Sequence, residues 1–410
     1  MPEPATLNRV ARLVALITDR DPADAVLRRE LTPRRDLSPD RRREIARAVA
    51  IYFRWLGWLD PADTPQHRVA AALALQARFD ADPAAIKGET LAARAVPGWI
   101  WNEIDFPGAT AGSAPESPGA PRPAAPWLRQ LQRDPVLWIR VRHEFAAALP
   151  RRLGDCAPAS LPSTLDPRLS TAWRYTGTRD LFLTDEFQAG RFEIQDLASQ
   201  LVGLACAPQP GETWWDACAG EGGKMLHLAD LMQNRGLIWA SDRSARRLDT
   251  LKQRAARAQV FNYRAAFWNG GPRPPTRTHF DGILVDAPCS GVGTWQRHPP
   301  ARWTLSDHDV RELAERQRQL LDHVAGSLKP GGRLVYAVCT LTRRETASVV
   351  AAFSADHPEC EPTAVFAATP QPSVARPSQA TDLYPLPAVT LWPHDLNANG
   401  MFIAAWRRKR

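Results

Sequence analysis

Cysteine is sparse in this 410-residue chain: the six residues (Cys156, Cys206, Cys218, Cys289, Cys339 and Cys360) lie far apart. No two stand at metal-ligand spacing, and so few cannot staple a small scaffold, which argues against a zinc module and a disulfide-rich secreted domain. Free thiols in a reducing compartment are expected, most of them packed as small hydrophobes. Long apolar runs are missing too. No stretch of about eighteen apolar residues occurs, and Asp, Glu and Arg are spread through the first part of the chain. A membrane span and a secretory leader are therefore not expected, and a cytoplasmic location is. Lysine is the third scarcity, since Lys87, Lys224, Lys252, Lys329 and Lys409 are the only ones among 52 basic residues.

What is present is Arg, Pro and a net charge of +8. That charge suits a polyanionic partner such as RNA, although Arg and 37 Pro together are equally the mark of GC-rich coding. The length allows two or three domains, each with its own core. Leu7, Val10, Val14 and Ile17 recur at helical spacing. Ser38-Pro39 then reads as a helix start, followed by the stripe Ile45, Val49, Phe53 and Leu56. A helical bundle over 1–105 follows. Residues 106–125, rich in Pro, Gly, Ala and Ser, read as a linker. Short strand-like runs such as VLWIRV suggest a small α/β module over 126–185. From 186 to 410 the strand-like TWWDA, LIWASD, GILVDA and RLVYAVC alternate with helical stretches. That alternation predicts an open, mostly parallel sheet with helices on both sides, a Rossmann-like α/β domain.

Two constellations within this domain point to chemistry. Trp214-Trp215-Asp216 runs into Ala217-Cys218-Ala219-Gly220-Glu221-Gly222-Gly223-Lys224 and then into a helix, a loop that brings backbone close to a ligand over a helix N-terminus. Asp242 ends the next strand, 22 residues beyond Gly220, where a carboxylate can accept from ribose hydroxyls. Met225 stands where a dinucleotide fingerprint needs its third glycine, so an adenosine cofactor without pyrophosphate fits better. The second constellation is Asp286-Ala287-Pro288-Cys289 at the end of one strand and Cys339-Thr340, with Glu345 just beyond, at the end of another. Two cysteines at the ends of two strands of one sheet can face one pocket.

With these motifs in the order DACAGEGGK, DAPCSGVGTWQRHP and LKPGGRLVYAVCT, the chain resembles the NOL1/NOP2/Sun-type RNA cytosine-C5 methyltransferases. Phe192 to Gln200 is similar to the segment that enters their catalytic domain, and residues 37 to 60 look like the NusB-type RNA-binding domain of the RsmB subgroup. The resemblance implies S-adenosyl-L-methionine as cofactor, held by Cys218, Ala219, Gly220, Gly222, Gly223, Lys224, Asp242 and Asp286. It further implies an RRM-like character for the small module, RNA (16S rRNA by subgroup) as substrate, and a monomer. Cys339 is the implied nucleophile and Cys289 the group that helps release product. Asp286 is the candidate to hold a proton at N3 of the base, with Lys224 beside it. Trp295, Arg297 and His298 are candidate RNA contacts, although residues of these types are more often packing or surface than base platforms. Two departures stand out: the acidic residue that follows the family's third strand has no counterpart in Tyr263-Arg264-Ala265-Ala266-Phe267, and Glu345 is followed by Thr346 where Asn is usual. The competing readings are an RNA-binding assembly factor that kept the fold without the activity and a DNA cytosine methyltransferase. The chain has no large target-recognition insert of the kind the latter carries.

Overall fold

Ser38 and Thr64 accept from the backbone N–H groups of Arg41 and His67, each with a proline next in sequence, and so start the helices Pro39–Arg54 and Pro65–Ala81. A computed structural model describes these and all other elements over residues 3–18, 21–31, 37–106, 124–159, 171–366 and 388–410. Most of the expected linker, 107–123, lies outside the described residues. Contacts divide the chain into two units, Met1–Pro135 with Gly291–Asp307, and Val136–Ser290 with His308–Arg410.

The first unit is helical. Helices Pro4–Leu16, Ala23–Leu31, Pro39–Arg54 and Pro65–Ala81 pack Val10, Val26, Ile45, Val49, Phe53 and Val69 into one core, on the stripes read from the sequence. Into this unit the chain inserts Gly291–Asp307. Trp295 is fully buried and stacks on Trp127, with ring centroids 6.3 Å apart. The buried Arg302 guanidinium donates to the carbonyls of Ala95, Leu131 and Trp295 (3.4, 2.6 and 3.1 Å), and Trp303 Nε1 donates to Phe53 O (2.7 Å). A buried cation filled with carbonyl acceptors in this way fixes backbone from three parts of the unit.

The second unit holds two sheets. Strands β1 (Leu137–Val141), β2 (Cys156–Pro158), β3 (Ala172–Tyr175) and β4 (Phe192–Ile194) form a small antiparallel sheet in the order β2-β3-β1-β4. The boundary expected at 185/186 thus falls between strands of one sheet, because β4 pairs with β1. The larger sheet comprises β5 (Thr213–Asp216), β6 (Leu237–Asp242), β7 (Tyr263–Phe267), β8 (Phe280–Asp286), β9 (Leu328–Val338), β10 (Cys360–Pro362), β11 (Ala388–Leu391) and β12 (Met401–Arg408). Its order is β10-β12-β9-β8-β5-β6-β7, with β11 also on β12. Strands β5 to β9 pair in parallel, whereas β12 runs antiparallel to β9, β10 and β11. One face packs under helices Leu197–Cys206, Gly223–Leu231 and Ala245–Arg257, the other under Asp307–Ala325 and Ala347–Asp356. Gly282 in β8 is required by packing, since a Cβ there would meet the Trp214 indole at 2.2 Å. Among the described residues no helix is long and apolar enough to cross a membrane.

Candidate active site

In a parallel sheet the carboxyl ends of adjacent strands lie side by side, so the loops that leave them form one row. Here the order β9-β8-β5-β6 brings together Cys339, Asp286 to Cys289, Asp216 with its glycine loop, and Asp242. The two cysteines meet, with Cys289 Sγ and Cys339 Sγ 3.2 Å apart. Lys224, in the first turn of helix Gly223–Leu231, reaches across from β5 to β8 and donates to Asp286 Oδ2 at 2.6 Å. Burial works to lower the Lys224 pKa, but Asp286, by charge and hydrogen bond, together with Cys339 and Asp216, outweighs it and holds the ammonium charged. A positive charge therefore stands beside the cysteine pair.

The loop after β5 is built to leave space. Gly222 sits at φ +85° with Leu251 so close that a Cβ would meet its Cγ at 2.7 Å, so the turn into the helix needs glycine. A Cβ on Gly220 would meet nothing, which leaves open room above the loop. Ala219 N–H donates to Ser241 O, and Gly220 N–H to Asp242 Oδ2 at 3.1 Å, tying the loop to β6. Asp242 Oδ1 accepts from Ser244 N (2.7 Å), and a carboxylate so bonded retains lone pairs for two hydroxyls. The thiol of Cys218 is pushed well above its ordinary range by desolvation and then by Asp216, so it is a neutral member of the loop.

Two features of the site were not foreseen from the sequence. Asp216 is fully buried, and its carboxylate has only a weak donor, the backbone N–H of Cys218, with no hydrogen bond of full geometry. Desolvation, then repulsion from Asp286, push its pKa up to about 7, against the opposing pull of Lys224. The second is a network at Glu345, also fully buried. Its carboxylate accepts from Ser290 N (2.9 Å), Gln317 Nε2 (2.9 Å), Thr340 Oγ1 (3.1 Å), Thr342 Oγ1 (2.7 Å) and the Ser290 hydroxyl. Gln317 also donates to Pro288 O, and Tyr336 OH donates to Gln317 Oε1 and to Glu345 O. Residues adjoining both cysteines are thus fastened to one carboxylate.

The expected cofactor residues are accordingly brought to one row. Cofactor fit rests on a buried carboxylate with only a weak donor, open room above Gly220 and the lone pairs that Asp242 retains. Trp295, a candidate RNA contact for which packing was the commoner role, is core of the helical unit, whereas His298 in that unit is exposed. A cavity of about 640 Å³ opens elsewhere in the second unit, lined by Arg140, Arg142, Glu193, His227 and Asp230 among others. None of the expected site residues lines it, and its arginines are already paired with Asp230.

The sheet and its row of loops define a Rossmann-like methyltransferase fold. The chain belongs to the family described as 16S rRNA methyltransferase RsmB/F, which matches residues 203–407. Ribosomal RNA small subunit methyltransferase B of Shewanella oneidensis is 38% identical over 242 residues, 56% of this chain and 53% of that protein. A Bacillus subtilis protein named probable ribosomal RNA small subunit methyltransferase B is 36% identical over 228 residues, 55% of this chain and 50% of its own length. The chain thus spans about half the length of the curated relatives it matches. Among solved structures, a methyltransferase homolog from Pyrococcus horikoshii is 25% identical with a TM-score of 0.56, over 70% of this chain and 92% of that one. NSun6 from the same organism, solved with SFG, shares the fold at 19% identity and a TM-score of 0.57, over 71% of this chain and 95% of that one.

Proposed function

We propose that this chain methylates carbon 5 of a cytosine in RNA, with 16S rRNA as the substrate class, in the cytoplasm and as a monomer. The observation that carries the reading is the pair of cysteine sulfurs in contact at the ends of two adjacent strands, beside a charged lysine. The relatives' names, which specify small-subunit ribosomal RNA, support the substrate class. Cys218, Ala219, Gly220, Gly222, Gly223 and Lys224 would hold S-adenosyl-L-methionine together with Asp242 and Asp286, and the cofactor supplies the methyl group when bound.

Carbon 5 of cytosine is a weak nucleophile until a group adds to carbon 6. The thiolate of Cys339 forms that carbon–sulfur bond, and the electrons of the carbon 5–carbon 6 double bond move toward N3. N3 takes a proton from solvent, which Asp286, held by Lys224, keeps in a charge-assisted hydrogen bond. Carbon 5 then takes the methyl group. Cys289, in contact with Cys339, serves the reverse step: as thiolate it takes the carbon-5 proton, the electron pair left behind re-forms the ring double bond, the Cys339 thiolate is expelled from carbon 6, and N3 returns its proton to solvent.

Substituting the cysteines one at a time tests this order. Cys339→Ala should form neither adduct nor product, because nothing attacks carbon 6. Cys289→Ala should still attack and accept the methyl group yet stall before release. With labelled RNA and S-adenosyl-L-methionine on a denaturing gel, a slow-migrating band is expected for Cys289→Ala and absent from the double variant. The band with Cys339→Ala alone would reverse the assignment. An unsubstituted protein that binds RNA but yields no 5-methylcytosine would favour the assembly-factor reading instead.

A further inference from the structure

Phe267 closes strand β7 and is 62% exposed, although large apolar side chains in this unit are otherwise mostly interior. The strand end beneath it is firmly held. Trp268 N–H donates to Asp242 O (3.1 Å), and the Trp268 ring is buried 5.0 Å from Trp215, its Nε1 donating to Gly271 O. Successive residues of a strand face opposite sides, so burying Trp268 on one face leaves Phe267 on the other. That other face is the one Asp242 shares, since the two residues are paired in parallel register. An aromatic ring therefore stands in solvent beside the carboxylate whose Oδ2 ties down the glycine loop.

The chemistry of an adenine narrows what such a ring does. An amino group on the base donates hydrogen bonds and is read by a carboxylate where one is at hand, but the sequence has no Asp or Glu between Asp249 and Asp281. Asn269, the nearest polar side chain along the chain, has its Oδ1 engaged by Gly271 N. A flat hydrocarbon ring instead offers a stacking surface, which every purine can use whatever its substituents. We propose that Phe267 is the adenine platform of the cofactor site, so that this chain holds its cofactor's base by stacking and not by reading the amino group. The inference rests on the cofactor reading above and says which feature of that cofactor the protein recognises.

Calorimetry on the full chain tests it with two non-reactive probes, S-adenosyl-L-homocysteine and its hypoxanthine counterpart S-inosyl-L-homocysteine. Stacking predicts that the unsubstituted protein binds the two within about threefold of each other. Phe267→Ala should weaken both by about tenfold, whereas Phe267→Trp should retain both. Phe267→Asp should weaken the hypoxanthine compound more than the adenine one, because a carboxylate can then read the amino group. A preference of tenfold or more for adenine in the unsubstituted protein, or unchanged binding by Phe267→Ala, overturns the inference and leaves the cofactor reading intact. Failure of the unsubstituted protein to bind either probe overturns both.

Discussion

A carboxylate removed from water is costly unless donors occupy its lone pairs, and at Glu345 those donors are Ser290, Gln317, Thr340 and Thr342. Because Ser290 follows Cys289 and Thr340 follows Cys339, the same bonds fix the distance between the sulfurs. Glu345→Gln keeps the shape but turns an amide donor toward other donors. Thermal unfolding should register a loss of about 2 kcal/mol. Adduct formation on RNA containing 5-fluorocytosine should slow by roughly tenfold or more with cofactor affinity unchanged, since loosely held reacting groups lose attack geometry. Equal adduct rates would show that the sulfurs are positioned by something else. Asp216 makes a prediction in pH. Its folded pKa, raised to about 7, lies above that of the unfolded chain, so its contribution is full below the unfolded value of about 4 and is lost as pH rises through about 7. Asp216→Asn should therefore flatten the fall in stability of the cofactor-free protein across that interval, as denaturant unfolding at several pH values would show. A fall as steep in the variant would assign it to other groups. The cysteines, Asp286 and Lys224 were legible in the sequence because each stands in a short local motif. Glu345's partners were not, because Ser290 and Gln317 reach it from 55 and 28 residues away.

Among the elements, the parallel strands β5, β6, β8 and β9 were readable because each is an apolar run ended by a chemically distinct residue, whereas β7, with the sequence YRAAF, is no such run. The run RLVYAVC proved to be the end of a longer strand, β9, that begins at Leu328 and passes through Lys329-Pro330-Gly331-Gly332 with an irregularity in its pairing to β8. Those residues break the apolar run without ending the strand, because a left-handed glycine, here Gly331 at φ +77°, kinks a strand without ending its pairing. The antiparallel additions β10 to β12 were not read at all, because an added edge is decided by partners and not by local pattern. The turn from β5 into helix Gly223–Leu231 carries the prediction at this scale. Gly222→Ala places a methyl group against Leu251 in a left-handed conformation, which should lower stability by about 1–2 kcal/mol. Because the loop itself is displaced, cofactor affinity should fall further than in a Leu251→Ala control, although that control loses more stability, about 2–5 kcal/mol. Calorimetry giving the two variants equal affinity would remove the loop's shape as a determinant.

For the whole molecule, the sequence suggested consecutive domains divided near residues 105, 125 and 185, whereas contacts assign Gly291–Asp307 to the same unit as Met1–Pro135. That insertion was illegible because Trp295, Gln296 and Arg302 directly continue a motif that reads as part of the catalytic domain. Only their partners, Trp127, Gln130, Ala95 and Leu131, show where they belong. Removing residues 1–135 would strip Trp295 and Arg302 of these partners while keeping β1 to β4 together, leaving a large aromatic surface and an uncompensated guanidinium on the segment that follows Cys289. Burial of a tryptophan and the bonds of a buried arginine are together worth several kcal/mol, which is a large part of a domain's net stability. The shortened protein should therefore unfold at a markedly lower temperature and aggregate at concentrations the full chain tolerates. Adding Trp295→Ser and Arg302→Ser to the shortened protein should recover solubility, since those changes remove the surface that deletion exposes. Cooperative unfolding of the shortened protein at the full chain's temperature, with no gain from the two substitutions, would show that Gly291–Asp307 does not depend on the helical unit for its fold.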